Sequence, residues 1–201
     1  MDALSYVSRP AHLNAILDRT EVLGFKMASE PRTGALLRTL AASKPNGRLL
    51  ELGTGTGVST AWLLSGMSSN ASLVSVDTNP EAQAVARDLL GDDLRVSFVL
   101  EDGAAFLRRQ LPQTFDLMFA DAMPGKYEAL EEALAVVKPG GFYVIDDMLP
   151  QPNWPEGHAE KVPMLLDRLA NDARFTMCPM EWASGVVVAV RRPEAARDNR
   201  N

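Results

Sequence analysis

The stretch LLELGTGTGVST at residues 49–60 places glycines at positions 53, 55 and 57 directly after an apolar run. The apolar run predicts a β-strand, and the residues after the glycines predict an amphipathic helix. Glycines at every second position allow positive φ and let the backbone come closer to a ligand than any Cβ would permit. In this strand–turn–helix setting, the glycine loop indicates a nucleotide-binding turn.

The spacing of these glycines excludes two common nucleotide loops. A dinucleotide loop of the form G-x-G-x-x-G needs its last glycine at position 58 or 60, where the chain has Val58 and Thr60. A P-loop needs Gly-Lys-Ser/Thr, and no lysine follows the glycines. The pattern is instead E-x-G-x-G-x-G, with Glu51 two residues ahead of Gly53. A carboxylate beside the loop suits a ligand with a cationic end, and a glycine turn without a ligand is the alternative.

The composition is typical of a globular protein with one domain, which we expect to cover residues 1–192 before a frayed tail at 193–201. The net charge of −6 argues against a nucleic-acid surface. The chain has no run of 18 apolar residues, which argues against a membrane span, and its first residues do not resemble a secretory signal. The single cysteine, Cys178, suits a reducing compartment as a small buried side chain, so we expect a cytoplasmic protein.

Strand and helix patterns alternate along most of the chain. Two predicted helices, at about 10–23 and 30–43, form an N-terminal helical cap within residues 1–45, and residues 46–192 form the core. The predicted strands are 48–52, 72–77, 94–100, 115–121, 141–147, 174–180 and 185–192, and the helices between them are 57–67, 80–90, 102–111, 126–137 and 162–171. This order predicts a doubly wound, Rossmann-like α/β fold with a seven-stranded, mostly parallel sheet and helices on both faces. The last two strands are too close for a helical crossover, so one strand near the C-terminus must be antiparallel.

Acidic residues lie at or just after the carboxyl end of each of the first five predicted strands. Ligands of such sheets bind outside the carboxyl ends of the strands. The acids at these ends are Glu51, Asp77, Asp102, Asp121, Asp146 and Asp147. An aspartate before a helix is also a favoured N-cap, so Asp77 and Asp102 have that alternative role.

Three segments together resemble the class I S-adenosylmethionine-dependent methyltransferases. ELGTGTG at 51–57 is similar to the first motif of that superfamily, SVDTNPE at 75–81 to the second and LEDGAAFL at 100–107 to the third. The resemblance implies that Asp77 binds both ribose hydroxyls and that Asp102 accepts a hydrogen bond from the adenine amine. The implied cofactor-binding residues are Met27, Glu51, Gly53, Thr54, Gly55, Gly57, Ser59, Asp77, Thr78, Asp102, Gly103, Ala104 and Asp121.

A narrower resemblance is to the metal-dependent O-methyltransferases typified by the catechol and caffeoyl-CoA enzymes. The segments MASEPRTGALLRTL at 27–40, FADAMPGKY at 119–127 and GGFYVIDDML at 140–149 are similar to motifs of that family. The resemblance implies that Asp121, Asp146 and Asp147 bind Mg²⁺, or Mn²⁺ or Ca²⁺ in its place, with waters and substrate hydroxyls completing the coordination.

Two positions depart from the narrower family. The family lysine three residues after the first metal aspartate is replaced by Pro124, and Asp147 replaces an asparagine. Lys126 lies two residues beyond Pro124 and could serve as general base, which makes Asp121, Lys126 and Asp146 the predicted catalytic residues. In the alternative interpretation the acids only order the turns after their strands.

The segment after the fifth strand, residues 148–162, is predicted to be a substrate lid. Trp154 within it either contacts the acceptor or seals the edge of the domain, and His158 is expected to be a surface residue rather than a ligand. The first helix is expected to cover the cofactor or to form a contact in a homodimer.

The leading hypothesis is therefore an S-adenosylmethionine-dependent methyltransferase that methylates a hydroxyl of a small molecule with help from a divalent metal ion. One alternative is a metal-free small-molecule methyltransferase, which could act on nitrogen. Another is a non-catalytic S-adenosylmethionine-binding regulatory protein, for which the missing lysine at Pro124 is the main argument.

Overall fold

The computed structural model of the chain describes residues 3–152, 154 and 156–193. The seven strands β1 to β7 are Arg48–Leu52, Ser72–Asp77, Val96–Leu100, Phe115–Ala120, Val137–Ile145, Phe175–Met180 and Val186–Arg191. The seven α-helices α1 to α7 are Leu13–Leu23, Pro31–Ala42, Val58–Gly66, Pro80–Leu90, Gly103–Arg108, Leu130–Val136 and His158–Ala170. A short 3₁₀-helix at Ala3–Tyr6 precedes them.

The strands form one sheet in the order β3-β2-β1-β4-β5-β7-β6. Strands β1 to β5 pair in parallel, and β7 is antiparallel to both of its neighbours, β5 and β6. The predicted fold class, including one antiparallel strand near the C-terminus, is confirmed. The strand order reverses between β1 and β4, which is the point where ligands of such sheets bind.

Alternating side chains of the strands enter two separate cores, one on each face of the sheet. Leu50 and Met118 pack with α5, α6 and α7 on one face. Leu49 and Phe119 pack with α1, α2 and α3 on the other. Because successive residues of a strand point to opposite faces, helices cover both faces of the sheet.

Three element boundaries differ from the prediction by four residues. Helix α6 begins at Leu130 rather than at 126, because residues 123–127 form a tight turn in which Gly125 has φ +86°. Helix α7 begins at His158 rather than at 162, so it includes the last part of the predicted lid. Strand β5 begins at Val137 rather than at 141.

Cys178 is exposed, so its predicted burial is wrong. It lies on β6, the outermost strand at one edge of the sheet, most of whose residues are exposed or half-buried. Of the predicted tail, Pro193 is described and 194–201 lie outside the described residues. Among the helices that the structure describes, none combines the length and the apolar character needed to cross a bilayer.

Candidate functional site

A pocket of about 410 Å³ lies over the carboxyl ends of the central strands, at the point where the strand order reverses. Its two sides come from different parts of the chain. The glycine-loop side is built from residues 51–57 and Asp77, of which residues 52–56 and Asp77 line the pocket. The acidic side is built from Asp121, Lys126, Asp146 and Asp147, of which all but Asp146 line the pocket. Its volume is within the range of small-molecule sites, roughly 300–1,000 Å³.

The glycines of the loop have two different roles. Gly53 has φ +99°, and a Cβ there would lie 2.5 Å from the carbonyl oxygen of Asp121, so the loop packs directly on the end of β4. Gly57 has φ +94°, and a Cβ there would lie 2.8 Å from Cβ of Ala86 on α4. Gly53 and Gly55 line the pocket, whereas Gly57 allows α3 and α4 to pack closely behind it.

Asp77 lies on the pocket wall and fixes the shape of the glycine loop. Its Oδ2 accepts a hydrogen bond of 2.7 Å from the backbone N–H of Gly55, and its Oδ1 accepts one of 2.7 Å from the N–H of Asn79. Asn79, not Asp77, caps α4, because the Asn79 side chain accepts from the N–H groups of Glu81 and Ala82. The N-cap alternative for Asp77 is therefore wrong.

Glu51 lies behind the loop rather than on the described pocket wall. Its side chain is fully buried, and Oε2 accepts hydrogen bonds of 2.5 Å from the hydroxyls of Thr60 and Ser75. Burial raises the pKa of Glu51 to about 7, although hydroxyl donors including Ser59 oppose that shift. Oε1 has no hydrogen-bond partner among the described residues. The structure therefore gives Glu51 a supporting position beneath Thr54 and Ser59, which do line the pocket.

The predicted third motif contributes to the pocket through the residues on either side of Asp102. Asp102 is exposed, and its Oδ1 accepts from the N–H of Ala105 at 2.8 Å, so it is the N-cap of α5. Glu101 and Gly103 line the pocket, whereas Ala104 is buried beneath it. The capping alternative for Asp102 is thus confirmed, and its adenine contact stays a prediction. Thr78, from the second motif, lies on the wall as predicted.

The segment after α1 closes the pocket from the N-terminal side. Met27 is 67% exposed and lines the pocket, together with Phe25 and Ser29, which the sequence analysis did not single out. The Ser29 hydroxyl donates a hydrogen bond of 3.0 Å to Oδ2 of Asp121. The helix predicted to cover the cofactor therefore contributes through the residues that follow it.

Lys126 lies inside the acidic side, with only 3% of its side chain exposed. Its Nζ donates a hydrogen bond of 2.8 Å to the backbone carbonyl of Asp146 and lies 3.5 Å from Oδ1 of Asp121. The pocket wall includes Asp121, Lys126 and Asp147 but not Asp146. Burial and the charge of Asp121 raise the pKa of Asp147, while Lys126 opposes that shift.

Asp146 is buried and does not line the pocket. Its Oδ1 accepts hydrogen bonds from the Ser184 hydroxyl and, at 2.9 Å, from the N–H of Asp147. Burial, followed by the charge of Asp121, raises the pKa of Asp146 to about 7. Asp147 has φ +61°, a backbone conformation that is uncommon outside glycine.

The three predicted metal ligands do not fit a three-ligand site in this arrangement. Among the described residues, no group of three His, Cys, Asp or Glu side chains is placed to hold a metal ion. A hard cation needs several oxygens converging on one point, whereas Asp146 is bonded to Ser184 and the ammonium of Lys126 contacts both the Asp146 carbonyl and Asp121. The structure brings Asp121 and Asp147 to the pocket but does not bring Asp146 with them.

An aromatic cluster forms the pocket wall beside Asp147. Trp154 and His158 both line the pocket, with ring centroids 4.4 Å apart, and the Tyr127 hydroxyl lies 3.2 Å from Nε2 of His158. The prediction that His158 is a surface residue is wrong, because α7 begins at His158 and turns its ring inward; the side chain is 6% exposed. Burial and the charge of Lys126 lower the pKa of His158.

The predicted lid at 148–162 is divided between this cluster and helix α7. Trp154 lies at the pocket rather than at a remote edge of the sheet. Asn153 and Pro155, which belong to the same segment, lie outside the described residues. Movement of the segment as a lid stays a prediction.

The chain is similar to known proteins over most of its length. Residues 50–148 match the family described as a methyltransferase domain. A protein of Mycobacterium ulcerans (strain Agy99), provisionally named an O-methyltransferase, is 30% identical over 195 residues, which cover 92% of this chain and 87% of that protein.

Two solved structures have the same fold. The O-methyltransferase TomG from Streptomyces achromogenes, in complex with SAM, has a TM-score of 0.80 and 22% identity, and covers 94% of each chain. The O-methyltransferase from Bacillus cereus, in complex with SAH, has a TM-score of 0.80 and 20% identity, and covers 93% of each chain. The predicted class is confirmed: with 30% identity to the mycobacterial relative across almost its whole length, this chain belongs to the O-methyltransferases, within the class I S-adenosylmethionine-dependent methyltransferases.

Proposed function

We propose that this protein transfers the methyl group of S-adenosylmethionine to a hydroxyl oxygen of a small molecule. The observation that carries the proposal is that one pocket contains both the glycine-loop side and the acidic side. A methyl donor on the first side would then face an acceptor on the second without leaving the pocket. The cofactors bound in the structures of TomG and of the Bacillus cereus enzyme support S-adenosylmethionine as the donor.

The glycine-loop side suits the nucleoside and the methionine of the donor. Asp77 already accepts two backbone N–H bonds, and each carboxylate oxygen has a further lone pair for a ribose hydroxyl. Gly53 and Gly55 both have positive φ; the missing Cβ lets the loop pack against the carbonyl of Asp121 at Gly53 and against the Phe25 ring of the pocket wall at Gly55. The sulfonium methyl is already electrophilic, so the main task of this side is to align it with the acceptor oxygen.

The acidic side suits a small acceptor. The rings of Trp154 and His158 provide flat surface beside Asp147, with Tyr127 packed edge-on against His158, and this surface favours a ring-bearing molecule. The net charge of −6 disfavours a nucleic-acid acceptor.

Divalent-metal assistance, implied by the narrower resemblance, is not part of this proposal, because Asp146 is already bonded to Ser184 and lies off the pocket wall. The predicted homodimer stays a prediction.

Transfer of labelled methyl groups from S-adenosylmethionine to a panel of small aromatic alcohols tests the proposal. Each acceptor is paired with its methoxy analogue, in which the hydroxyl is already blocked. We expect label in the hydroxyl compounds only, with an O-methyl ether identified by nuclear magnetic resonance. Label on the nitrogen of an amino-bearing member of the panel would instead favour the alternative in which the acceptor atom is nitrogen. Tight binding of S-adenosylmethionine without transfer to any member of a broad panel would favour a regulatory protein.

A further inference from the structure

The buried lysine of the acidic side is held in place by the fold around it. Residues 123–127 form a turn in which the N–H of Gly125 donates to the carbonyl of Glu128 at 2.7 Å, and the Tyr143 hydroxyl donates to the carbonyl of Gly125. A Cβ at Gly125 would lie 2.7 Å from Cδ1 of Leu52, so the turn packs tightly on β1. The backbone of Lys126 is therefore fixed by the turn. Its buried side chain reaches the acids with little freedom to move.

The ammonium of Lys126 already contacts oxygen atoms of the residues that were predicted to bind a metal ion. It donates to the carbonyl of Asp146 at 2.8 Å and pairs with Asp121 at 3.5 Å, and its charge acts on Asp147. Two further oxygens of the cluster already have donors, because Ser29 donates to Oδ2 of Asp121 and Ser184 donates to Oδ1 of Asp146. A buried acidic cluster is stabilised when its charges are compensated by a cation, by hydrogen bonds or by protonation, and here the side chain of Lys126 supplies a cation.

We infer that Lys126 is the resident cation of this acidic cluster, so that methyl transfer needs no divalent ion and the acceptor is held through one oxygen instead of a chelated pair. The part of this inference that concerns substrates rests on the proposed function. The role of Lys126 as the cation of the cluster can be tested without turnover. A divalent ion has several coordination positions and can bind two adjacent hydroxyls at once. An ammonium is a point charge with three donors, and after its bond to the carbonyl of Asp146 and its pairing with Asp121 one donor remains for a single acceptor oxygen. The substrate class is therefore monohydroxy compounds as well as vicinal diols.

Binding of Mn²⁺ to the purified full-length protein tests the cation directly. We expect no Mn²⁺-dependent rise in the melting temperature of the wild type, and a clear rise in Lys126→Met, whose acids lose their only bonded ammonium among the described side chains. Mn²⁺ should bind Lys126→Met at least about tenfold more tightly than the wild type, measured by titration with electron paramagnetic resonance detection. Lys126→Arg should behave like the wild type.

Lys138→Ala is the matched control, since Lys138 pairs with Asp116 at 2.8 Å away from the pocket. It should not gain Mn²⁺ binding. If Lys126→Met fails to fold, the wild type alone still decides: a Mn²⁺-dependent stabilisation that Asp121→Asn abolishes would overturn the inference. A folded Lys126→Met that gains no Mn²⁺ binding would overturn it as well.

Turnover gives a second readout. In the presence of EDTA, we expect the wild type to methylate a phenol and the corresponding catechol at rates within about tenfold of each other. Activity confined to the catechol and lost in EDTA would overturn the inference but leave the proposed function intact. Loss of all transfer with every acceptor, together with the expected Mn²⁺ results, would instead overturn the proposed function and leave the resident cation standing.

Discussion

The two sides of the pocket differ in how they are assembled from the chain. The glycine-loop side consists of one short stretch at 51–57 and the end of the adjacent strand, where Asp77 bonds to the loop N–H of Gly55. The acidic side joins the end of β4, the turn at 123–127 and the end of β5. It also depends on Ser29 and Ser184, each of which is distant in sequence from the acid that it bonds.

This difference explains why the first side follows the family pattern and the second departs from it. A loop built from neighbouring residues is fixed by local backbone conformation, which short motifs describe well. A cluster built from distant segments depends on which side chains meet, so a shift of two positions from Pro124 to Lys126 changes its chemistry. The departures at Pro124 and Asp147 both lie on the acidic side.

The largest effect is expected on the glycine-loop side. Asp77→Ala removes a charged acceptor for two ribose hydroxyls and releases the N–H of Gly55, which should cost about 2–4 kcal/mol, roughly 30- to 1,000-fold in affinity for S-adenosylmethionine. Calorimetric titration measures this change. Asp88→Ala, which removes an exposed acid paired with Arg19, should bind the cofactor normally. Unchanged affinity in Asp77→Ala would mean that the second motif does not bind the donor.

A smaller effect concerns the pH dependence of stability in the cofactor-free protein. The pKa of Glu51 is raised from 4.5 to about 7, so the folded state binds this proton more tightly than the unfolded state. The stability that it contributes is complete below about pH 4.5 and is lost as the pH rises through about 7, by an amount on the order of 3 kcal/mol. Glu51→Gln should remove the part of the fall in the free energy of unfolding with rising pH that Glu51 causes, because an amide does not titrate. Its amide oxygen can still accept from Thr60 and Ser75.

Urea unfolding between pH 5 and pH 8 measures the free energy of unfolding for this comparison. Glu81→Gln, in the exposed first turn of α4, is the control and should keep the slope of the wild type. If Glu51→Gln shows the same decline as the wild type, Glu51 is not the group responsible.

The smallest effect is expected on the acidic side and should leave the other side untouched. Trp154→Ala removes an aromatic wall beside the acceptor, which should cost about 1 kcal/mol and raise the acceptor KM roughly fivefold. The affinity for S-adenosylmethionine should not change. Steady-state kinetics and titration separate the two quantities. Trp182→Ala, in which an exposed tryptophan bonded to Arg32 is removed, should change neither. Equal losses of affinity for the acceptor and for S-adenosylmethionine in Trp154→Ala would show that the two sides are not independent.

The sequence by itself determined the order of strands and helices, the antiparallel strand near the C-terminus and the positions of the glycine loop and of Asp77. These features depend on hydrophobic periodicity and on local backbone conformation, both of which neighbouring residues specify. The sequence also predicted that acids would collect at one edge of the sheet, because parallel strands end at the same edge.

Only the tertiary structure decided what those acids do. Asp102 caps a helix, Glu51 lies behind the loop, and Asp146 is directed towards Ser184, whereas Lys126 and His158 are brought into the pocket. Apart from the local cap at Asp102, whose partner is the N–H of Ala105, these outcomes depend on side-chain direction and on contacts with other segments of the chain. Periodicity gives the face of a strand or helix on which a residue lies, but hydrogen-bond partners and burial follow from packing between segments, which no single stretch of sequence contains.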